Sequence, residues 1–599
     1  MYKGKLDPIT FAVVQSKVNS IVHETLVATW KSGHSTMLNA GRDFSVTICD
    51  SKCRLVSIAE GLPVHVMTSN MAVEPIAKLF DDIAPGDVFL NNSPYYGGAH
   101  HADYNYMAPV FNEGKLMFWV ILREHQHDVG GPSHTTYFPY AKDVYEEGLH
   151  WPCVRLRRNY KDIKDVIRIA LQAIRCPDVW YANYVGALGA LSVAERRLGE
   201  ILTKYGNDVI GQWIEEWMDY GDRAMTNEIR SLPKGTWEYE TRGDPLSYAP
   251  EGVYYKAKLT IDPDAAIITI DLSECQDQVE GGINLTEAMS KCVAMEGLFW
   301  CLDPTLPHNS GAFSHIKCNL REGSVAGIPK FPVGTSVSTC SWADRVANMS
   351  MALMAQVDPR KGSAEGGLFG HAWAVVSGND PRRKGEYYQD ELYFAQGGGP
   401  GTDGYDGWVD WASAANQGAT YIESVEAHEL HYPHMVDKEE VAIDSVGAGE
   451  YNGSPGIDVI YYPVDAPFTV AGFFEGGYFP HLGALGGEPG TLNKACVIDL
   501  KTRETVKEVG TIDIVEVKEG QALFATGNSG AGFGNPLERD PERVRIDVQK
   551  GWVSVEKARN TYGVVVSGSD PEEFTVDYEA TRILREQKRE EQAKRGTGE

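Results

Sequence analysis

The chain lacks most of the short signatures that assign a protein quickly. Its ten cysteines include no CxxC pair, and the nearest two, Cys49 and Cys53, flank a turn. That distribution offers no zinc knuckle and no disulfide framework, and it leads us to expect reduced, mostly buried thiols in a cytoplasmic protein. MYKGKLDPITF at the N-terminus has no apolar signal core, and no run in the 599 residues reaches membrane-spanning length. There is no GxxxxGK[ST] phosphate loop, no strand-to-helix dinucleotide fingerprint and no GxSxG nucleophile elbow. A basic patch is missing as well. The formal net charge is −28, spread along the chain, and such a surface repels phosphate backbones.

With 43% hydrophobic and 10% aromatic residues, the sequence can bury a large core. Asp7-Pro8 reads as an N-cap followed by proline at the first helical position, opening a helix that runs to about Trp30. Short strands follow at Phe44–Cys49, Arg54–Ile58 and Val88–Leu90, with a helix at about Ser69–Leu79. Helices are expected at Ile163–Ile174, Val179–Tyr205 and Val209–Ile229, broken at Cys176-Pro177 and Gly206-Asn207, with Trp180, Trp213 and Trp217 as core or interface residues. Strands dominate again from Gly243, interrupted by helices around Thr286–Cys301 and Asp344–Gln356. The segment from Gly447 to about Ser567 reads as short β-runs and turns, and a charged, solvated helix closes the chain at Asp577–Arg595. These readings predict a large, mixed, strand-rich α+β protein with its helices grouped in a layer. The divisions we expect are an N-terminal α+β metal-binding region (1–160), a helical layer (161–235), a central α+β region (236–445), a β-rich region (446–570) and a charged tail (571–599).

The richest stretch is Asn91–Gly131, which holds His100, His101, Asp103, His125, His127 and Asp128. Two apolar runs, Tyr104–Phe111 and Leu116–Leu122, flank Asn112-Glu113-Gly114-Lys115, the pattern of a β-hairpin. Pairing Phe111 with Leu116 puts Ala102 opposite His125, Asp103 opposite Glu124 and His100 level with His127. Both polar clusters therefore meet at the open end of one hairpin. Imidazoles and carboxylates converging there suit a zinc-, manganese- or iron-like divalent ion; the plain alternative is a solvated strand end. Asp43 in GRDFSVTI and His65 in GLPVHV are further candidates, against the simpler readings of a turn residue and a core histidine.

Two other stretches carry less. Glu423, Glu426, His428, Glu429, His431 and His434 crowd into IESVEAHELHYPH, but the spacing is HExH instead of the HExxH of zinc proteases, and Pro433 limits any helix. Gly397–Gly401 could offer backbone N–H groups to an anion, but it lacks phosphate-loop spacing and reads as a flexible loop.

Taken in order, DPITFAVV, RDFSVTICD, GLPVHV, GDVFLNNSPYYGGAHHAD, EHQHDVGG, YEEGLHWPCVRL, QVEGGINL and AIDSVGAGEYNGSPGID resemble the hydantoinase B/5-oxoprolinase family, which also includes subunits of acetone and acetophenone carboxylases. The resemblance runs over nearly the whole length. It implies a divalent metal, zinc or manganese, held by Asp43, His100, Asp103 and His125. It selects His100 over His101 and His125 over His127, against the register counted above; a bulge or an early strand ending would reconcile the two. It leaves Asp128, His127 and His65 to orient ligands or shuttle a proton. Ser93 replaces the aspartate of an NDP-type motif, and Asn452 stands where an arginine is usual.

The resemblance further implies a stable partner, an A-type subunit of actin-like fold that binds ATP-Mg, in a heterotetramer or larger assembly; the missing phosphate loop agrees with that division. The expected activity is ATP-dependent hydrolysis of a cyclic amide (a lactam, hydantoin or 5-oxoproline-like ring), in which phosphorylation activates the carbonyl and a metal-bound water attacks. ATP-dependent ketone carboxylation is the alternative on the same scaffold, and a scaffolding subunit with a structural metal is a third. Tyr95, Tyr96 and Tyr106 near the hairpin hint at an apolar ring substrate.

Overall fold

The computed structural model describes residues 5–59 and 61–596. Its N-terminal part is a seven-stranded sheet built from β1 (Phe44–Asp50), β2 (Leu55–Ala59), β3 (Val88–Asn91), β4 (Asp103–Asn112), β5 (Lys115–His125), β6 (Val154–Arg158) and β7 (Lys161–Asp162). The order across the sheet is β2-β1-β5-β4-β3-β6-β7, and every neighbouring pair is antiparallel. Every residue of β1 and β2 is buried, without the in–out alternation of a half-solvated sheet. The cause is that both faces are covered. On one face Val46, Ile48, Tyr104, Val120 and Leu122 pack against Val14, Val18 and Ile21 of the helix Pro8–Ser32 and against Trp180, Tyr184 and Leu191 of the helix Pro177–Arg230. On the other, Phe89, Met107, Trp119 and Ile121 share a core with the helices Asn70–Leu79, Glu287–Phe299 and Ser341–Val357.

Asp7 caps the first helix as expected, its Oδ1 accepting from the N–H groups of Ile9 and Thr10. The break expected at Gly206-Asn207 is there: the span Pro177–Arg230 is two helices meeting at a kink at Gly206, whose φ of 78° and ψ of 159° lie outside helical space. Trp180 and Trp213 are buried on its inner side, and the Trp217 indole donates to the carbonyl of Val56.

Three larger sheets follow, and a two-stranded ribbon of β21 (Val566–Ser567) and β22 (Thr575–Val576) lies near the C-terminus. The first joins β8 (Gly235–Gly243), β9 (Val253–Asp262), β10 (Ile267–Asp271) and β11 (Ile316–Asn319). In the second, β12 (Val375–Asp380) and β13 (Glu386–Glu391) join β16 (Phe468–Phe473) and β19 (Ile512–Val517). The third contains β14 (His434–Val441), β15 (Ile457–Pro463), β17 (Lys494–Asp499), β18 (Thr505–Glu508) and β20 (Gln521–Thr526). The fold is α+β, as the sequence leads one to expect. Among the described residues no helix is long and apolar enough to cross a membrane, and all ten cysteines are free.

Two expectations change. Gly397–Gly401 is buried and its N–H groups are taken: Gly397 donates to Ala412, Gly398 to Asn528, Gly399 to Trp408 and Gly401 to Ala531. The run is a place of close backbone packing, where a Cβ on Gly399 would lie 2.6 Å from the nitrogen of Trp408. It is neither a flexible loop nor an anion cradle. The closing helix Tyr578–Gly596 is not wholly solvated either: Thr581 and Arg585 are buried, and Arg585 donates to the carbonyls of Tyr562 and Arg539.

Candidate metal centre

The site is built where three chain segments end together. Phe111 does pair with Leu116, but a bulge between Val110 and Phe111 shifts the count, so that Val110 faces Phe118 and Asp103 faces His125. One extra residue in β5 thereby moves the whole upper hairpin by one position and brings those two side chains together. On the other side of β5, Phe44 pairs with Glu124, and the N–H of His125 donates to the carbonyl of Asp43 at 3.1 Å. His65 closes a single 3-10 turn, Pro63–His65, started by the fixed φ of Pro63. His100 arrives on the loop after Asn91. Gly97 has φ 82° there, and a Cβ on it would sit 2.1 Å from the carbonyl oxygen of Met71. Ser93, standing where an aspartate is usual, still caps that loop by accepting from the N–H of Tyr95.

Asp103 is the hub. Its Oδ1 lies 2.9 Å from His100 Nε2 and 3.2 Å from His125 Nδ1, and its Oδ2 lies 3.3 Å from His65 Nε2. Asp43 Oδ1 is 3.5 Å from the same His65 nitrogen, and Asp43 Oδ2 is 3.9 Å from His125 Nδ1. All five residues are buried. One donor atom each from His100, Asp103 and His125 falls within 4.8 Å of the others, and so does one each from Asp43, His65 and Asp103.

The donor set fits a divalent cation. Asp43 Oδ1 and Asp103 Oδ2 are buried without a hydrogen-bond partner, a costly condition for carboxylate oxygens. His100 Nδ1 donates to the carbonyl of Ser336 at 2.8 Å, which fixes the ring and points Nε2 inward, the usual arrangement for a ligating imidazole. Burial pushes His65 down and His125 down to about 4, so both rings are neutral. Burial also works to raise Asp103, but His100 and His65 outweigh it and hold the carboxyl well below its usual range. Asp43 goes the other way, raised by burial, then by the charges of Asp103 and Glu391. Two carboxylates brought this close call for a positive charge between them.

The other candidates lie elsewhere. Asp128 accepts from the N–H groups of Gly130, Arg175 and Cys176, fastening the start of the long helix. His127 is buried, its Nδ1 has no hydrogen-bond partner and its carbonyl accepts from Gln389. Among the described residues neither side chain makes a hydrogen bond or ion pair to the five-residue cluster. His101 faces Glu147 at 3.8 Å instead.

The sequence reading missed the far wall. Tyr137 stacks against the rings of His125 and His100, at 5.0 and 5.6 Å between centroids. Its hydroxyl donates to Glu391 Oε1 at 3.3 Å, and Tyr393 donates to Oε2 at 3.1 Å. Burial pushes Glu391 up to about 8. Phe369, Trp373, Asn416 and Thr420 complete a cavity of about 20 Å³. Of the tyrosines expected to mark a ring site, Tyr106 is buried in the core shared with the long helix, Tyr95 donates to the carbonyl of Val333 and Tyr96 is exposed. A groove of about 1110 Å³ between the first helix and Pro304–His308 holds none of the candidate ligands.

Known proteins agree with this architecture. The beta chain of the caprolactamase of Pseudomonas jessenii is 29% identical over 94% of this chain and 97% of its own. The B-type component of a putative D-/L-hydantoinase from Pseudomonas sp. (strain NS671) is 28% identical, over 97% and 98%. The delta chain of the acetophenone carboxylase of Aromatoleum aromaticum is 23% identical, over 99% and 91%. The crystal structure of ATP-dependent caprolactamase from Pseudomonas jessenii superposes with a TM-score of 0.86 at 27% identity, covering 97% of this chain and all of that one. Residues 7–536 match the hydantoinase B/oxoprolinase family, and the chain belongs to it.

Proposed function

We propose that this member of the hydantoinase B/oxoprolinase family is the cation-holding B-type subunit of an ATP-dependent hydrolase of cyclic amides, with a lactam, hydantoin or 5-oxoproline-like ring as substrate. The observation that carries the reading is the buried meeting of Asp43, His100, Asp103 and His125, with two carboxylate oxygens left unpartnered. The names of two relatives at 29% and 28% identity, one from a caprolactamase and one from a hydantoinase, favour this chemistry over carboxylation.

An unstrained ring amide is a poor electrophile. Transfer of a phosphoryl group to its oxygen, by an ATP-binding A-type partner, supplies both activation and a leaving group. Asp43, His100, Asp103 and His125 would hold the cation, zinc or manganese, which would supply positive charge for polarising an oxygen and acidifying a water. His65 stands between the two carboxylates, with its Nδ1 3.4 Å from Ser45 Oγ, and can take or return a proton at Nε2. Tyr137, Trp373 and Tyr393 line the small cavity beside the cluster and keep bulk water from it.

The test is co-expression with an A-type partner, followed by ATP turnover with a panel of lactams, hydantoins and ketones. Ring opening coupled to ATP consumption, absent with either chain alone, is the expected result. Bicarbonate-dependent turnover with a ketone, and none with any ring, would replace the hydrolase by a carboxylase. A light-scattering mass equal to that of this chain alone, after co-purification, would remove the partner.

A further inference from the structure

The HExH stretch, weak as a motif, acquires a third partner in the fold. The segment forms a short helix, Val425–His431, and then enters β14 at His434. Beside it lies Asp390 of β13, which nothing in the sequence connects to these histidines. We propose that Asp390, His428 and His434, with Glu423 as a further oxygen donor, form a second divalent-cation site, separate from the cluster around Asp103.

One donor atom from each of Asp390, His428 and His434 lies within 4.8 Å of the others, the same closeness as in the first cluster. Asp390 and His428 are fully buried, His434 is 1% exposed and Glu423 6%. His428 Nδ1 is 3.2 Å from Asp390 Oδ2 and 3.4 Å from Glu423 Oε2, yet all three atoms lack a hydrogen bond of acceptable geometry. His428 Nε2 faces His434 Nδ1 at 3.0 Å.

The outer contacts orient these groups. Thr36 donates to Asp390 Oδ1 at 2.7 Å, leaving Oδ2 free, and Tyr388 holds His434 Nε2 at 2.7 Å, leaving Nδ1 turned inward. Asp390 and His434 are thus each fixed at the far atom, the way proteins aim carboxylates and imidazoles at a metal, while both nitrogens of His428 face other members of the cluster. Charge points the same way. Among the described residues no lysine or arginine pairs with Asp390 or Glu423; Arg382 is held by Asp380 instead. One imidazolium balances one carboxylate, whereas a divalent cation balances both and lets the two histidines stay neutral. Two nitrogens and two oxygens suit zinc or another first-row divalent ion.

Strand alternation puts this site back to back with the first. Asp390 points one way; Glu391 points the other, to Tyr137 and Tyr393. The N–H of Glu423 donates to the carbonyl of Tyr393 at 2.9 Å, and Thr420 lines the cavity of the first cluster. A cation here would clamp the 420–434 segment against the wall of the candidate active site.

The experiment is metal analysis of the full-length chain after dialysis into metal-free buffer, on the wild type, Asp103→Asn, His434→Gln and the double variant. Two equivalents in the wild type, one in each single variant and none in the double variant are expected. One equivalent that is lost in His434→Gln and kept in Asp103→Asn would uphold this site while removing the first. At most one equivalent, unchanged by His434→Gln, would overturn the proposal and leave His428 an imidazolium clamped by two acids. Should His434→Gln fail to fold, anomalous scattering at the zinc edge from wild-type crystals grown with zinc decides independently: a peak bonded to Asp390, His428 and His434 supports the site, and its absence overturns it.

Discussion

Replacing Asp103 with asparagine keeps the volume and the shape of the side chain and removes one negative charge from the centre of the first cluster. Three imidazole nitrogens lie within 3.3 Å of its carboxylate, and Oδ2 has no hydrogen-bond partner. In the variant an NH₂ group either occupies that position or displaces a histidine contact. Two unit charges about 4 Å apart at an effective dielectric of about 20 attract by about 4 kcal/mol, and a divalent ion doubles the term. Relief from desolvating a buried carboxylate returns part of it, so a net loss of at least ~3 kcal/mol is expected, or more than a hundredfold in cation affinity. Competition against a chromophoric chelator measures the affinity, with circular dichroism confirming an unchanged fold. Asp128→Ala is the control: it removes acceptors for three backbone N–H groups, so it should cost ~1–3 kcal/mol of stability and leave cation affinity alone. Asp103→Asn binding within threefold of wild type would refute the assignment of Asp103 as a ligand.

Other expectations follow from particular contacts. Arg345→Met leaves Glu475, 3.1 Å away, and Glu365 buried without their cation, so denaturant unfolding should show a loss of about 3–5 kcal/mol. Gly97→Ala forces a left-handed backbone on alanine at a cost of ~1–2 kcal/mol and drives its Cβ into the Met71 carbonyl; cation affinity should fall with the displaced His100 loop, as read by the same chelator titration. Glu147 is raised by burial from an ordinary 4.5 to about 8. It is neutral in the folded chain and ionises earlier in the unfolded one, so its contribution is present below pH 4.5 and is lost as pH rises to about 8. Glu147→Gln should flatten that slope in a series of unfolding curves, and an unchanged slope would show that Glu147 is ionised in the fold.

Much of the scaffold was legible because local signals and tertiary packing agree. The Asp7-Pro8 cap, the strands around the hairpin and the helix Glu287–Phe299 stand where periodicity puts them. The same aspartate–proline signature at Asp540-Pro541 opens a helix, Pro541–Gln549, inside a stretch read as β-runs and turns; there the short apolar pattern hid it. The hairpin register was off by one because a bulge leaves no mark in composition, and only the resemblance favoured His125. Asp43 reaches the cluster through strand pairing, a long-range fact. Asp390, Glu391 and Tyr137 were invisible for the same reason: their partners are brought up by other sheets. Asn452, read as a lost cation, accepts from Tyr562 and Gly449 and donates to Asp547, while Arg539 supplies a guanidinium to Asp547 and Asp406. The charge is present nearby, contributed from a residue far along the chain.

The chamber beside the cluster has a kinetic meaning. At about 20 Å³ it admits a single water and no ring. A ring of the proposed kind needs the lining side chains to move apart, and its apparent dissociation constant then exceeds the intrinsic one by the reciprocal of the opened form's population. Substitutions at Thr420 or Asn416, which face the chamber, would then change KM and kcat together by shifting that population. Where parting of the wall limits turnover, a partner that favours the open form raises the rate with no change at the reacting atoms.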